Sequence, residues 1–212
     1  MQPNENFVLA ITRTCGSGGT TIGTMLANKY QINLYDKKLL QLASEDSGIN
    51  EALFAKADEA IKNTILYKVY QSVYNGELIP PESGNFVSDS NLFNYQAKVL
   101  KELAQKESYI VIGRCGDFIL KDNPNMVSIF LYASEEECIR HEMERSDISE
   151  KQAKRHIKKM DRYRSDYYKF HTGKKWKNSE NYDLSINTEK IGYEKVVALI
   201  DEYLSFKFQK EE

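Results

Sequence analysis

Five short segments rich in apolar residues recur along the chain, and they are the first pattern that the sequence shows. These segments are FVLAIT (7–12), INLYD (32–36), SYIVIGR (108–114), MVSIFLYA (126–133) and YDLSIN (182–187). The first and third are apolar without alternation, which is typical of strands that are buried on both faces. The pattern therefore predicts five β-strands.

Between these segments, apolar residues recur at helical spacing, which predicts helices. Pairs of serine with an acid or amide three residues later, Ser134–Glu137 and Ser149–Gln152, form capping boxes that predict helix starts. A helix that ends near Lys106 is expected to be capped by Asp89 or Ser90, after a loop over 76–90. The remaining predicted helices are 20–30, the one that starts at KKLLQLAS (37–44), 50–75 and 193–208.

Strands that alternate with helices indicate β–α–β units. The sequence therefore predicts an α/β fold, in which a five-stranded parallel sheet is covered by helices on both faces. A length of 212 residues suits one domain, with room for an inserted lid. Ligands of such sheets bind beyond the carboxyl ends of the strands. The segments 13–21, 36–38 and 114–117 follow the first three strands, so we expect the site there.

Composition and charge restrict the class of protein. Hydrophobic residues make up 41% of the chain and charged residues 28%, no apolar run is long enough to span a membrane, and the three cysteines are too few for a disulfide framework. The first residues also lack the features of a secretory signal. We therefore expect a cytoplasmic protein with reduced thiols and no membrane partner.

Charge is distributed unevenly along the chain. Residues 151–177 contain eleven lysines and arginines and two aspartates, so this segment carries +9 and the rest carries −11 of the net −2. A mostly acidic protein with one basic segment is a poor binder of nucleic acid. The distribution suits either a small polyanionic ligand or a solvated basic helix face.

The loop R-T-C-G-S-G-G-T-T (13–21) lies between the first strand and its helix. Gly16, Gly18 and Gly19 permit positive φ angles and close approach of an anion, and the helix start favours a phosphate. Thr20 and Thr21 place hydroxyls where a Mg²⁺ ligand is expected. The order of strand, glycine loop and helix predicts phosphate binding, and the alternative is a tight turn that uses glycine only for packing.

The loop departs from the P-loop pattern G-x-x-x-x-G-K-[ST] at its charged position. When it is aligned on the following helix, Arg13 falls at the first glycine, Gly18 at the second and Gly19 at the lysine, while Thr21 matches the threonine of a variant pattern. Arg13 is therefore the candidate for the missing positive charge.

Several segments together resemble the cytidylate kinase-like family, a branch of the P-loop nucleoside monophosphate kinases. They span residues 11–188 in the family order and read ITRTCGSGGTTIGTMLA, LYDKKLL, IVIGRCGDFIL, VSIFLYAS and MDRYRSDYYKFHTGKKW…YDLSINT. The resemblance implies a P-loop fold with ATP and Mg²⁺ as cofactors. It also implies an acceptor-binding insertion near 37–95, a helical lid near 149–178, and a core of 1–36, 96–148 and 179–212.

Roles for individual residues follow from the resemblance. Asp36 matches an acceptor-side carboxylate, Arg114 an arginine that binds the acceptor phosphate, and Arg162 and Arg164 the lid arginines that approach the transferring group. Arg164 ranks ahead of Arg162, which suits a surface ion pair. Thr21 is the candidate metal ligand. The loop residues expected to bind the donor phosphates are Cys15, Gly16, Ser17, Gly18, Gly19, Thr20 and Thr21.

Two segments differ from those of true cytidylate kinases. The chain has Asp36-Lys37-Lys38 in place of D-S-G, and Gly113-Arg114-Cys115 in place of G-R-D. The leading prediction is ATP-dependent phosphoryl transfer to a small phosphorylated acceptor, such as the nucleoside monophosphate CMP. The alternatives are a non-catalytic nucleotide sensor and a kinase of a non-nucleotide metabolite. The apolar face of segment 50–75 suits either the core or an interface in a homo-oligomer.

For the remaining cysteine, aspartate, histidine and aromatic candidates, the sequence predicts less specific roles. Cys15 lies near a helix N-terminus, which predicts a lowered thiol pKa and a reactive thiol. Asp36 and Asp117 are alternatively helix caps. The three histidines are expected at surface or packing positions, and these are His141, His156 and His171. The aromatic residues expected in the core rather than stacked on a base are Tyr163, Tyr167, Tyr168 and Phe170.

Overall fold

A single five-stranded sheet organises the computed structural model, which describes residues 6–54 and 76–208. The strand order is β2-β3-β1-β4-β5, and all four pairings are parallel. The strands are β1 (Val8–Arg13), β2 (Asn33–Tyr35), β3 (Tyr109–Ile112), β4 (Met126–Tyr132) and β5 (Leu184–Asn187). The five predicted strands and their parallel arrangement are confirmed.

Helices connect the strands in the order that the sequence predicts. The described helices are α1 (Gly19–Tyr30), α2 (Lys38–Ser47), α3 (Asp89–Lys106), α4 (Gly116–Ile119), α5 (Glu135–Ser146), α6 (Glu150–Thr172), α7 (Thr188–Ile191) and α8 (Tyr193–Phe208). A short 3₁₀ turn covers Ser179–Asn181. The predicted helix over 50–75 falls mostly on residues outside the described part of the chain.

The sheet separates two hydrophobic clusters, because successive strand residues point to opposite faces. Val8 and Ala10 of β1 join one cluster together with residues of α2, α3 and α6. Leu9 and Ile11 join the other, together with residues of α1 and α8. The strand interiors are therefore apolar on both sides, which explains the lack of alternation in the sequence.

Side-chain caps mark the helix starts, and at α3 and α5 they differ from the predicted caps. Ser88 caps α3 by accepting from the Asn91 amide, so neither Asp89 nor Ser90 is the cap. The predicted box at Ser149 is complete. At α5 only half of the predicted box forms, since the amide of the capping Ser134 donates to Glu189.

All three cysteines are buried and none forms a disulfide. Within the described residues, no helix combines the length and the apolar character that a membrane span requires.

The turn from β1 into α1 depends on two glycines with positive φ. Gly16 has φ +83°, and a Cβ added there would lie 2.5 Å from the carbonyl oxygen of Cys138. Gly18 has φ +80°, and a Cβ there would lie 2.3 Å from the ring of Tyr193. Neighbouring helices thus pack directly on the loop backbone. Close packing therefore requires glycine at both positions, and it leaves the prediction of phosphate binding untested.

A matched pair of substitutions tests this close packing. Gly16 and Gly48 both have positive φ, but nothing lies within 4 Å of a Cβ added at Gly48. Gly48→Ala is expected to lower the free energy of unfolding by only about 1–2 kcal/mol, from the left-handed backbone. Gly16→Ala is expected to cost about 1–3 kcal/mol more because it also overpacks the loop. Urea unfolding measures both, and equal losses would contradict the packing account.

Candidate active site

A cavity of about 1170 Å³ opens at the carboxyl ends of the central strands. Its walls come from the glycine loop after β1, from Asp36 after β2, from Arg114 after β3, and from α5 and α6. This is the edge at which parallel α/β sheets bind ligands. A ligand pocket commonly measures about 300–1,000 Å³, so this cavity lies at the upper end of the sizes that bind ligands.

The start of α1 faces this cavity without a side-chain cap. Gly18 is the capping residue, it makes no side-chain hydrogen bond, and the first turn contains no acidic residue. Thr20 and Thr21 of that turn are exposed and line the cavity. Amides at a helix start, aided by the helix dipole, form an anion-binding position.

Ser17 contributes to the fold of the loop rather than to the cavity. Its side chain is fully buried, and its hydroxyl donates to the carbonyl oxygens of Thr14 at 2.9 Å and Leu131 at 3.2 Å. Its own carbonyl accepts from the Thr188 hydroxyl at 2.9 Å. Ser17 therefore does not line the cavity with the loop residues around it.

The thiol of Cys15 has a raised pKa, whereas the sequence predicts a lowered one. Burial raises the pKa of the Cys15 thiol to about 12, and nearby Glu142 and Asp161 also favour the neutral form against the effect of Arg164. The residue lies four positions before the first residue of α1, too far for the helix start to overcome this. The prediction of a lowered thiol pKa is wrong. The Cys15 amide, in contrast, donates a 2.7 Å hydrogen bond to the Asp161 carboxylate of α6.

Arg13 crosses the site from β1 towards β3. A Cβ added at Gly19 would lie 2.7 Å from both Cβ and Cγ of Arg13, so the arginine stem packs on that glycine. The guanidinium Nη1 would lie 2.6 Å from a Cβ at Gly113. Burial, together with the Arg164 and Arg114 charges, lowers the pKa of Arg13 to about 9, although the Asp36 charge acts in the opposite direction. Arg13 is therefore surrounded by the other predicted site residues.

The two lid arginines occupy different environments. Arg164 is 19% exposed, lines the cavity, and donates to the carbonyl oxygen of Arg13 at 3.3 Å. Arg162 is 83% exposed and lies 3.7 Å from the Asp166 carboxylate. The structure brings Arg164 together with Arg13, Arg114 and Asp36, and it places Arg162 outside the cavity lining. This matches the ranking from the sequence.

The backbone at Arg114 adopts an uncommon conformation. Arg114 and Cys115 have φ values of +58° and +54°, directly after Gly113 at +74°. Left-handed conformations at non-glycine residues cost of the order of 1–3 kcal/mol each, and they concentrate at functional sites. This turn brings the Arg114 side chain to the end of β3 in the cavity wall.

Asp117 is a buried carboxyl group behind this wall. It accepts a 2.6 Å hydrogen bond from the Tyr168 hydroxyl, and burial raises its pKa to about 6. It lies in the first turn of α4, whose capping residue is Cys115, so the cap expectation for Asp117 is wrong. Tyr168 belongs to the core, as the sequence predicts.

Sequence reasoning missed two residues that contact the loop. Asp161 begins the D-R-x-R motif and is one of only two acids in the basic segment. Both features distinguish it in the sequence. His141 stands 2.8 Å from the Gly16 carbonyl oxygen and 3.0 Å from the Tyr193 hydroxyl. No local pattern marks His141, because its partner on the loop is 125 residues away.

Comparison with solved structures supports the fold. An uncharacterized protein from Eubacterium ventriosum ATCC 27560 is 29% identical with a TM-score of 0.69, over 94% of this chain and 99% of that chain. TT1252 from Thermus thermophilus is 13% identical with a TM-score of 0.54, over 98% and 100%. Shikimate kinase from Bacteroides thetaiotaomicron is 15% identical with a TM-score of 0.51, over 94% and 98%. At such identity the last two show the fold alone.

Comparison with sequences supports the family. None of the curated proteins compared with the chain matches it. The model of the cytidylate kinase-like family, however, matches residues 8–190, more than four fifths of the 212 residues. This match includes the glycine loop, the end of β3 and the whole of α6, and it supports a kinase-like phosphotransferase of the P-loop type. The chain therefore belongs to the cytidylate kinase-like family.

Proposed function

We propose that the protein is an ATP-dependent kinase that transfers a phosphoryl group to a small phosphorylated acceptor, with a nucleoside monophosphate such as CMP as the first candidate. The observation that supports this most is the meeting of three arginines, Arg13, Arg114 and Arg164, with Asp36 in one cavity. Repulsion between the three arginines costs electrostatic free energy, and an anionic ligand would offset that repulsion. Two phosphorylated substrates would supply such an anion.

Phosphoryl transfer suits this arrangement chemically. It requires donor and acceptor in line and positive charge on the transferring oxygens, with little covalent help from the protein. Guanidinium groups provide that charge and grip phosphate with paired hydrogen bonds. Arg164 reaches the cavity from α6, which lies in the proposed lid (149–178), while Arg13 and Arg114 come from the sheet.

The donor side fits the phosphates of ATP. The uncapped start of α1 leaves its first amides at the cavity, and Gly16 and Gly18, both with positive φ, form the turn that precedes it. The exposed Thr21 hydroxyl would hold Mg²⁺, an ion that usually relies on few protein ligands together with substrate phosphates. When bound, this ion would neutralise charge on the phosphates.

The absence of a lysine at position 19 has a physical explanation. The stem of Arg13 fills the space that a side chain on Gly19 would enter. We infer that Arg13 supplies the positive charge that the lysine supplies in other P-loops. Arg13 thus prevents a lysine side chain at position 19 and supplies the positive charge in its place.

The acceptor side is proposed from position and charge. Asp36 and Arg114 follow the neighbouring strands β2 and β3 and line the same cavity, and Leu40 of α2 adds an apolar surface. Arg114 would bind the acceptor phosphate and Asp36 would orient its hydroxyl groups. The proposed acceptor-binding insertion (37–95) begins at Lys37, which lies in the same wall.

A non-catalytic nucleotide sensor is the second candidate, and the missing lysine is the observation that favours it. Such a protein would bind ATP at the glycine loop without turnover. The two candidates separate in a single-turnover assay, because only the kinase converts bound ATP to ADP when the acceptor is present.

Arg164→Ala and Arg162→Ala form a matched test of the kinase. Arg164 lines the cavity, so its loss is expected to slow transfer from ATP·Mg²⁺ to CMP by about 10³-fold or more, as for arginines that stabilise transferring phosphoryl groups. Arg162 lies in an exposed ion pair worth about 0–1 kcal/mol, so its loss should change the rate by less than about five-fold. Equal effects of the two substitutions on the single-turnover rate would argue against the proposed role of Arg164.

A double-mutant cycle tests the link between Arg13 and Gly19. Gly19→Lys alone is expected to lower the free energy of unfolding by about 1–3 kcal/mol, because its Cβ meets the Arg13 stem. Combined with Arg13→Gly, the same change should be tolerated, since the stem is gone. Urea unfolding of the wild type, both single variants and the double variant gives the coupling free energy. Additive losses would show that the two positions are independent.

A further inference from the structure

Three metal-binding side chains converge beside the proposed phosphate site without a role in the proposed transfer. They are Cys15 of the glycine loop, Glu142 of α5 and His156 of α6. One ligand atom from each, a sulfur, a carboxylate oxygen and a ring nitrogen, all lie within 4.8 Å of one another. The residues come from three separate segments, so no local spacing in the sequence predicts the cluster.

The geometry is close to that of a tetrahedral metal site. Zinc binds sulfur at about 2.3 Å and nitrogen or oxygen at about 2.0–2.2 Å, which places tetrahedral ligands about 3.4–3.6 Å apart. Nε2 of His156 is already 3.7 Å from Oε2 of Glu142. The other two pairs both involve the Cys15 sulfur and need to shorten by at most about 1.2 Å. Rotation of the partly exposed imidazole can shorten the Cys15–His156 pair, and small rotations of the Cys15 and Glu142 side chains can shorten the other.

Burial indicates which parts of the cluster are fixed and which can move. The side chains of Cys15 and Glu142 are almost completely buried. Arg145, which lies 2.6 Å from Oε2 of Glu142, is 67% exposed, and His156 is 43% exposed. A buried carboxylate whose arginine partner is mostly in solvent can exchange that partner for a cation at small cost. Arg145 can turn outward while His156 completes the ligand set from the lid helix.

The donor set selects the class of metal. Thiolate and imidazole ligands favour zinc and related transition metals over Mg²⁺ and Ca²⁺, which prefer oxygen. We propose that Cys15, Glu142 and His156 form a Zn²⁺ site that fastens α6 to the glycine loop, with a water molecule as the fourth ligand. On binding, the Cys15 sulfur forms a bond to zinc and releases its proton to solvent, so no oxidation or reduction occurs.

The proton release fits the state of the thiol. Burial raises the pKa of Cys15, so the metal-free protein holds a neutral thiol, and a bound zinc ion would displace its proton. The Cys15 amide is already bonded to Asp161 of α6, so zinc would strengthen a contact that closes the loop. This metal site does not depend on the proposed kinase activity.

Cobalt spectroscopy tests the ligands directly. The reduced, chelator-treated protein is titrated with Co²⁺, which is expected to bind one ion per chain and to show a thiolate-to-cobalt charge-transfer band. Cys15→Ser should abolish the band. Cys138→Ser is the matched control, because Cys138 is equally buried but does not belong to the cluster, and it should retain the band.

Zinc competition titrations test His156 and the ion pair between Glu142 and Arg145. His156→Gln, on a half-exposed helix position, is expected to fold normally and to weaken Zn²⁺ binding by about 100-fold or more, since even outer contacts of metal sites change affinity by about 10–100-fold. Arg145→Ala should strengthen binding, because it removes a positive charge from Glu142. The proposal is overturned if the wild type shows no thiolate band, if Cys138→Ser behaves as Cys15→Ser does, or if His156→Gln binds zinc as the wild type does.

Discussion

The packing of the Arg13 stem on the backbone of Gly19 is the contact on which the rest of the site depends. It explains why position 19 lacks a side chain, and it directs the guanidinium from the end of β1 towards Gly113. From there the group shares one electrostatic environment with Arg164 and Asp36. In the proposed function, the glycine at the lysine position makes room for Arg13, which holds the positive charge at the proposed phosphate site instead.

Electrostatics and topology act together in this cavity. Parallel strands end at one edge, so residues that follow β1, β2 and β3 meet there although they are distant in sequence. Burial, with the nearby charges of Arg164 and Arg114, lowers the pKa of Arg13 to about 9. A bound phosphate would favour the charged form of these groups. The helix α6 contributes the remaining charge through Arg164, and its Asp161 holds the loop amide of Cys15.

The fold could be predicted from sequence because its signals are local. Continuous apolar runs such as residues 8–11 of β1, and caps such as Ser149, depend on neighbouring residues. The site was only partly predictable. Arg164 followed from a motif, but the buried hydroxyl of Ser17 and the raised pKa of Cys15 depend on partners more than a hundred residues away. Periodicity and spacing contain no information about such contacts.

Direct detection of the transferred phosphoryl group tests the central claim. The protein is incubated with ATP and Mg²⁺ and with CMP, dCMP, UMP or AMP, and the nucleotides are separated and quantified by mass. We expect ADP and the diphosphate of the preferred acceptor to form in equal amounts with CMP, dCMP or UMP, and two ADP to form for each AMP consumed if AMP is the acceptor. Binding of ATP without a diphosphate product from any of the four acceptors would contradict phosphoryl transfer to a nucleoside monophosphate.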